Sequence, residues 1–148
     1  GNGSGSPAGK ASPFMLDANN WVDKTTGLAP TKLTADIGPN TGLSAPRPVD
    51  TDHDGLVDTI YAGDALGNMH KFQFSKLNTA GTDYVIAAAG IAGGGAWRYI
   101  GKVFASGQPI STAPSVANAC DGVGWNVAFC TGQLTETNDY ADTATPGI

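Results

Sequence analysis

The sequence predicts an all-β fold of antiparallel sheets with little or no helix, and three observations carry that prediction. The chain of 148 residues holds 21 Gly and 9 Pro, and only Glu136 stands as Glu among its 13 acidic residues, so strong helix formers are scarce and turn formers abundant. No stretch sustains apolar residues at helical spacing. Several short apolar or alternating runs are instead bounded by Gly, Pro, Asn and Asp. The length fits one domain, read as N-terminal strands over 1–47, an acidic loop and hairpin over 48–74, further strands over 84–130 and a polar tail over 131–148.

Taken in order, residues 1–12 are Gly, Ser, Ala and Asn with one Lys and one Pro, as in a flexible or edge segment, and Asn2-Gly3-Ser4 is a formal but weak glycosylation sequon. Pro13-Phe14-Met15-Leu16-Asp17 reads as a short strand turned by Asp17-Ala18-Asn19-Asn20, and Trp21-Val22 opens another. Thr31 to Ile37 alternates weakly and reads as a third strand, broken at Gly38-Pro39. Leu43 to Pro48 holds two prolines, which remove ladder donors, so it is an extended lead-in and not a central strand. The clearest hairpin runs out along Ile60-Tyr61-Ala62-Gly63, turns at residues 64–68 and returns along residues 69–74. Period-two geometry sets His70, Phe72 and Phe74 on the core face and Met69, Lys71 and Gln73 on the other.

Tyr84 to Ala89 reads as a buried strand. The glycines that follow match neither Gly-x-Gly-x-x-Gly nor a P-loop, so they are a loop. Trp97 to Phe104 is a further strand, Ile110 to Val116 is extended with Pro114 at an edge or start, and Trp125 to Cys130 alternates with Trp125, Val127 and Phe129 together.

The chemistry concentrates in Asp50-Thr51-Asp52-His53-Asp54-Gly55-Leu56-Val57-Asp58. Acids stand at positions 1, 3, 5 and 9 of this loop, with Gly at 6. A hard cation such as Ca2+ takes six to eight oxygen ligands, and alternate Asp residues on a sharply turning loop supply them. Asp50, Asp52 and Asp54 are the side-chain candidates, the Leu56 carbonyl the backbone candidate, and Asp58 binds directly or through water. Tyr61 occupies position 12, where an EF-hand carries Glu, and Thr59 to Gly63 reads as a strand, so the loop lies between β elements. An empty acidic turn is the plain alternative, opposed by the mutual repulsion of four Asp.

Other residues are weighed against ordinary packing. His70 reads as a half-buried core residue, and His53, at a non-ligand position, is expected to face solvent. The two cysteines, Cys120 and Cys130, fit an oxidising compartment. They are expected to pair in a disulfide around residues 121–124, with two unpaired thiols as the alternative, and without clustered His they make a poor zinc site. The net charge of −5 argues against nucleic acid, and no apolar run is long enough for a membrane span. The chain starts at Gly1-Asn2-Gly3 with neither an initiator Met nor a signal peptide, and is read as a piece of something longer.

The order of these motifs resembles the C-terminal β-propeller domain of the PilY1/PilC adhesins associated with type IV pili. The resemblance rests on Gly1-Asn2-Gly3, Phe14-Met15-Leu16-Asp17-Ala18, Gly42-Leu43-Ser44-Ala45-Pro46 and the run from Pro48 to Asp58. It continues through Tyr61-Ala62-Gly63-Asp64, Gly67-Asn68, Lys71-Phe72, Gln108 to Pro114 and Phe129-Cys130-Thr131-Gly132. It implies propeller-like blades, a calcium site at the acidic loop, and a part in pilus biogenesis, surface adhesion and twitching motility. His70 stands where the family usually has Trp, and Cys130 where it usually has Gly, which makes the cysteine pair a local feature.

A blade takes about 40–50 residues and a ring at least four blades, so this length holds roughly three and does not close alone. The expected function is an extracellular, calcium-binding structural and adhesive module at the cell surface. Its expected partners are the rest of a parent propeller or copies of itself, with pilus subunits or surface ligands beyond. One alternative is an excised fragment that assembles through open β edges into a calcium-stabilised extracellular filament. Another is a carbohydrate-binding module using Trp21, Trp97 and Trp125 as a stacking platform, although such residues more often pack a sheet. An enzyme is not expected: the dense acids belong to the loop, no Gly-x-Ser-x-Gly occurs, and neither His has a triad context.

Overall fold

A computed structural model describes residues 10–11, 13–15, 31–33, 35–36, 42–88, 94–120 and 122–132. Among these, every regular element is a strand: β1 Lys10–Ala11, β2 Phe14–Met15, β3 Thr31–Lys32, β4 Ala35–Asp36, β5 Arg47–Val49, β6 Thr59–Gly63, β7 Asn68–Leu77, β8 Tyr84–Ile86, β9 Ala96–Ala105, β10 Ser115–Asn118 and β11 Trp125–Ala128. All paired strands are antiparallel. The all-β prediction therefore holds. The expected element at Trp21-Val22, the glycines at 90–93 and the tail beyond residue 132 lie outside the described residues.

The N-terminal part pairs β2 with β3 and β1 with β4. The single strand expected over residues 31–37 is thus two short strands serving different partners. Leu33 lies between them, 3 % exposed, and its amide donates to the Pro13 carbonyl at 3.0 Å.

The main sheet is built on β7, ten residues long. Residues 69–73 pair with β6, and residues 68–75 pair with β9. Ser75 pairs with Ile86 of β8 on one side and Ala96 of β9 on the other, so β8 continues the edge that β6 occupies. β5 completes the sheet outside β6, with Pro48 opposite Ile60. An outermost strand tolerates the missing N–H of Pro48.

Both faces of β7 are buried, which corrects the one-faced core expected from alternation. On one face Ile60, Phe72 and Leu33 pack together, bordered by Leu43, Val57, Trp97 and Tyr99. On the other, Tyr61, Met69 and Ile110 gather Val49, Val116, Val127 and Phe129. The second face is covered because the β10–β11 hairpin lies over it, and alternation within β7 carries no information about that distant hairpin. Each fully buried apolar side chain contributes about 1.5–3 kcal/mol, so the second face is a substantial part of the core.

Two close approaches fix the β6–β7 turn. A Cβ on Gly63 would lie 2.3 Å from Ile110 Cγ2, and one on Gly67 would lie 2.2 Å from the Gln108 carbonyl oxygen. Gly67 also has φ +83°, which glycine adopts at no steric cost.

β8 departs from expectation in another way. Tyr84 and Val85 are 51 % and 42 % exposed, so the apolar run is not a buried strand. It pairs with the projecting end of β7, and only Ala87 beyond it is buried. Arg98 covers Tyr84 instead, its guanidinium 4.7 Å from the ring centroid, and donates to the carbonyls of Ser75 and Ala96.

The expected disulfide is also corrected. Cys120 and Cys130 are free and exposed. The register sets Asn118 against Trp125 and Ser115 against Ala128, which places Cys120 at the turn and Cys130 past the open end. Five residues of extended chain beyond Trp125 span about 16 Å, against a Cα separation of at most about 7 Å for a disulfide.

Candidate metal centre

The acidic loop joins two neighbouring strands of the main sheet, leaving β5 at Val49 and entering β6 at Thr59, which pair with each other. Its path is set by carboxylates that accept from backbone amides. Asp50 accepts from His53 N at 2.6 Å and Gly55 N at 2.9 Å. Asp52 Oδ1 accepts from Asp54 N at 3.3 Å, and Asp54 Oδ1 from Leu56 N at 2.8 Å. His53 and Gly55 take left-handed φ values of 65° and 91°. This backbone turns on short aspartate-capped steps, as Asp side chains favour.

Asp58 anchors the base of the loop. It is 4 % exposed and receives Thr51 N at 2.7 Å, Thr51 Oγ1 at 2.5 Å, Asp52 N at 3.2 Å and Thr59 Oγ1 at 2.6 Å. Its charge reaches Tyr61 and Lys71 across the sheet. Burial and then Asp58 push the Tyr61 hydroxyl up, while burial lowers Lys71 and Asp58 partly offsets that.

Asp50, Asp52 and Asp58 each offer a carboxylate oxygen, and these oxygens lie within 4.8 Å of one another. Asp54 is exposed and stands outside this group, its Oδ1 committed to Leu56 N. Leu56 is half-buried within the loop. The donor set is all carboxylate oxygen, hard and anionic; the Asp50 oxygens and Asp52 Oδ1 each accept one amide and keep a lone pair for a hard divalent cation, whereas Asp58 already accepts two hydrogen bonds on each oxygen. Burial raises the Asp52 carboxyl above its ordinary value; the Asp54 amide opposes this, and the negative charges of Asp54, Asp58 and Asp50 add to it.

His53 is exposed but does not simply face solvent: its ring lies 5.6 Å from that of Trp125, tilted by 38°. Trp97 meets Phe74 edge-on at 5.8 Å. Two of the three tryptophans expected as a platform are therefore engaged with rings of the chain itself, and Trp21 lies outside the described residues.

A second polar centre escaped the sequence. Asp64, completely buried, accepts from Leu66 N, Asn68 N, Asn68 Nδ2 and His70 Nε2 at 2.8–2.9 Å. The other ring nitrogen, His70 Nδ1, lies 2.8 Å from Tyr99 Oη. His70 is thus a fully buried bridge between a carboxylate and a phenol, not a half-buried packing residue. Burial tends to raise the Asp64 carboxyl, but hydrogen bonds from Asn68 and His70 outweigh it and hold the group below its ordinary value. The only sequence signal was an Asp six positions before a His across a turn, and the partner on β9 is not local.

An antiparallel β module with a carboxylate loop between adjacent strands is the class this geometry defines. Residues 2–147 match the family model described as the PilY1 beta-propeller domain, and the chain belongs to that family. It is 33 % identical over 159 residues to the type IV pilus biogenesis factor PilY1 of Pseudomonas aeruginosa strain PAK, covering 97 % of this chain and 13 % of the relative. The corresponding factor of strain UCBPP-PA14 is 38 % identical over 72 residues, covering 49 % of this chain and 6 % of that protein. The crystal structure of the P. aeruginosa PilY1 C-terminal domain superposes with a TM-score of 0.57 at 28 % identity, over 84 % of this chain and 28 % of the solved one. The chain thus spans a small part of the length of the relatives it matches. Among the described residues, no helix is long and apolar enough to cross a membrane.

Proposed function

We propose that this chain is a calcium-binding structural module of a type IV pilus-associated surface protein, acting in pilus biogenesis and attachment outside the cell. The observation that carries the reading is the convergence of Asp50, Asp52 and Asp58 within 4.8 Å. Ca2+ held there would answer the charge of the cluster and tie β5 to β6 at their shared end. The ligand set is Asp50, Asp52 and Asp58, with the Leu56 carbonyl from the rest of the loop and Asp54 as a weaker, outer contributor. The module is read as non-catalytic, because His70 and Asp64 are buried out of a substrate's reach and His53 lies against Trp125. Its partners are the remaining blades of a parent propeller or further copies of the chain.

Calorimetric titration of chelator-treated protein with Ca2+ tests the reading. One site is expected, and at free Ca2+ about 100 times the dissociation constant the fold gains about 2.7 kcal/mol. Asp50→Asn and Asp52→Asn are each expected to weaken binding by about tenfold or more, because affinity follows ligand charge. Absence of heat and of any thermal shift up to millimolar Ca2+ would overturn it.

A further inference from the structure

We propose that Trp125, on the distant β10–β11 hairpin, is a positioning residue for the acidic loop: its indole holds His53 in the left-handed conformation that turns the loop onto its carboxylate cluster. The inference rests on the reading of the loop as a cation site.

Four observations carry it. His53 is the one non-glycine with positive φ among the described residues, at 65°. That region costs an L residue free energy, although Asn, Asp and His bear it better than most. The strained residue is also the working one: its amide donates to Asp50 Oδ1 at 2.6 Å, one of the two amide bonds that hold the Asp50 carboxylate. The His53 ring then meets Trp125 at 5.6 Å, within the range of favourable aromatic pairs.

Trp125, finally, is held independently of the loop. It opens β11 opposite Asn118, and Val127 on β11 and Phe129 just past its end pack against Tyr61, Met69 and Ile110. The contact therefore joins a strained, exposed apex to an anchored hairpin. Because Trp125 touches the ring of a non-ligand residue, it acts on the cation only through the shape of the loop. A His53→Gly chain would adopt the same φ without help and needs no ring contact.

The experiment is a double-mutant cycle on the full chain, read by Ca2+ calorimetry, with far-ultraviolet circular dichroism and thermal unfolding in chelator as folding controls. Trp125→Ala is expected to weaken Ca2+ binding by about three- to tenfold, and Trp125→Phe to stay within about twofold of the parent. Trp125→Ala added to His53→Gly is expected to change the affinity by less than about twofold, because the strain has been removed. His53→Ala keeps the strain and loses the ring, so it repeats the loss from the loop side if Trp125→Ala fails to fold.

Equal losses from Trp125→Ala in the parent chain and in the His53→Gly background would overturn the proposal by assigning Trp125 a general packing role. So would parental affinity in both Trp125→Ala and His53→Ala. A parent chain that takes up no Ca2+ overturns the underlying site, a different outcome from a parent that binds and variants that match it.

Discussion

The molecule has two aspartate-built turns, and they solve the same electrostatic problem in opposite ways. At the β6–β7 turn a single buried carboxylate, Asp64, is answered from within by two amides, the Asn68 side chain and His70. In the acidic loop three carboxylates converge within 4.8 Å, and their donors are mostly neutral amides and hydroxyls. At the first turn both oxygens of one carboxylate are answered by donors of the chain itself. The second leaves a surplus of negative charge that an external cation would balance. A buried carboxylate needs partners wherever it lies; whether those partners are carried in the chain or taken from solution separates a structural centre from a binding centre.

The contrast is open to direct test. The largest effect is expected from Asp64→Ala, which leaves His70, Asn68 and two amides without their acceptor. About 3–5 kcal/mol should be lost, as when one partner of a buried polar pair is removed. Urea unfolding should give the same loss with Ca2+ and with chelator, and a loss that grows with Ca2+ would break the separation of the two centres.

A smaller effect is expected from pH, with opposite signs at the two sites. The Asp64 carboxyl is held below its ordinary value, so its stabilisation is full above the unfolded pKa of about 3.9 and is lost as pH falls through the folded value. The Asp52 carboxyl is raised in the metal-free loop, first by burial and then by its acidic neighbours, so the cost of ionising it acts above the folded value and is relieved as pH falls through it. Unfolding in chelator between about pH 2 and 6 should show Asp64→Asn abolishing the acid loss and Asp52→Asn abolishing the opposing gain.

The smallest effect is expected at Asp54. Its carboxylate lies outside the convergent group, so Asp54→Asn should weaken Ca2+ binding by less than about threefold, well below Asp50→Asn. Equal losses at the two positions would mean that the loop closes further on binding.

The carboxylate pattern of the acidic loop was legible because the bonds that turn its backbone are local. Asp50 reaches His53 and Gly55, Asp52 reaches Asp54, and Asp54 reaches Leu56, all within five residues. The β6–β7 hairpin was legible for the same reason. The Asp64–His70–Tyr99 bridge was not, since Tyr99 arrives on β9 from 29 residues beyond His70. Nor was the exposure of β8: Tyr84-Val85-Ile86 is as apolar as a core strand, and only the pairing of β8 with the projecting end of β7 leaves it in solvent.

Residue order alone was enough for the all-β class, the main strands of the central sheet, the carboxylates of the loop and the resemblance to the propeller family. These follow from composition, alternation, spacing and motif order over short stretches, where chain geometry leaves few choices. Long-range packing was needed to make both faces of β7 core, to set Cys120 and Cys130 at opposite ends of a hairpin, and to rest His53 on Trp125. The first and third depend on where the β10–β11 hairpin lies against the main sheet, and the second on the register within that hairpin. That placement comes from non-directional burial of Val116, Val127 and Phe129: alternation marks an apolar face on the hairpin but not the surface it covers.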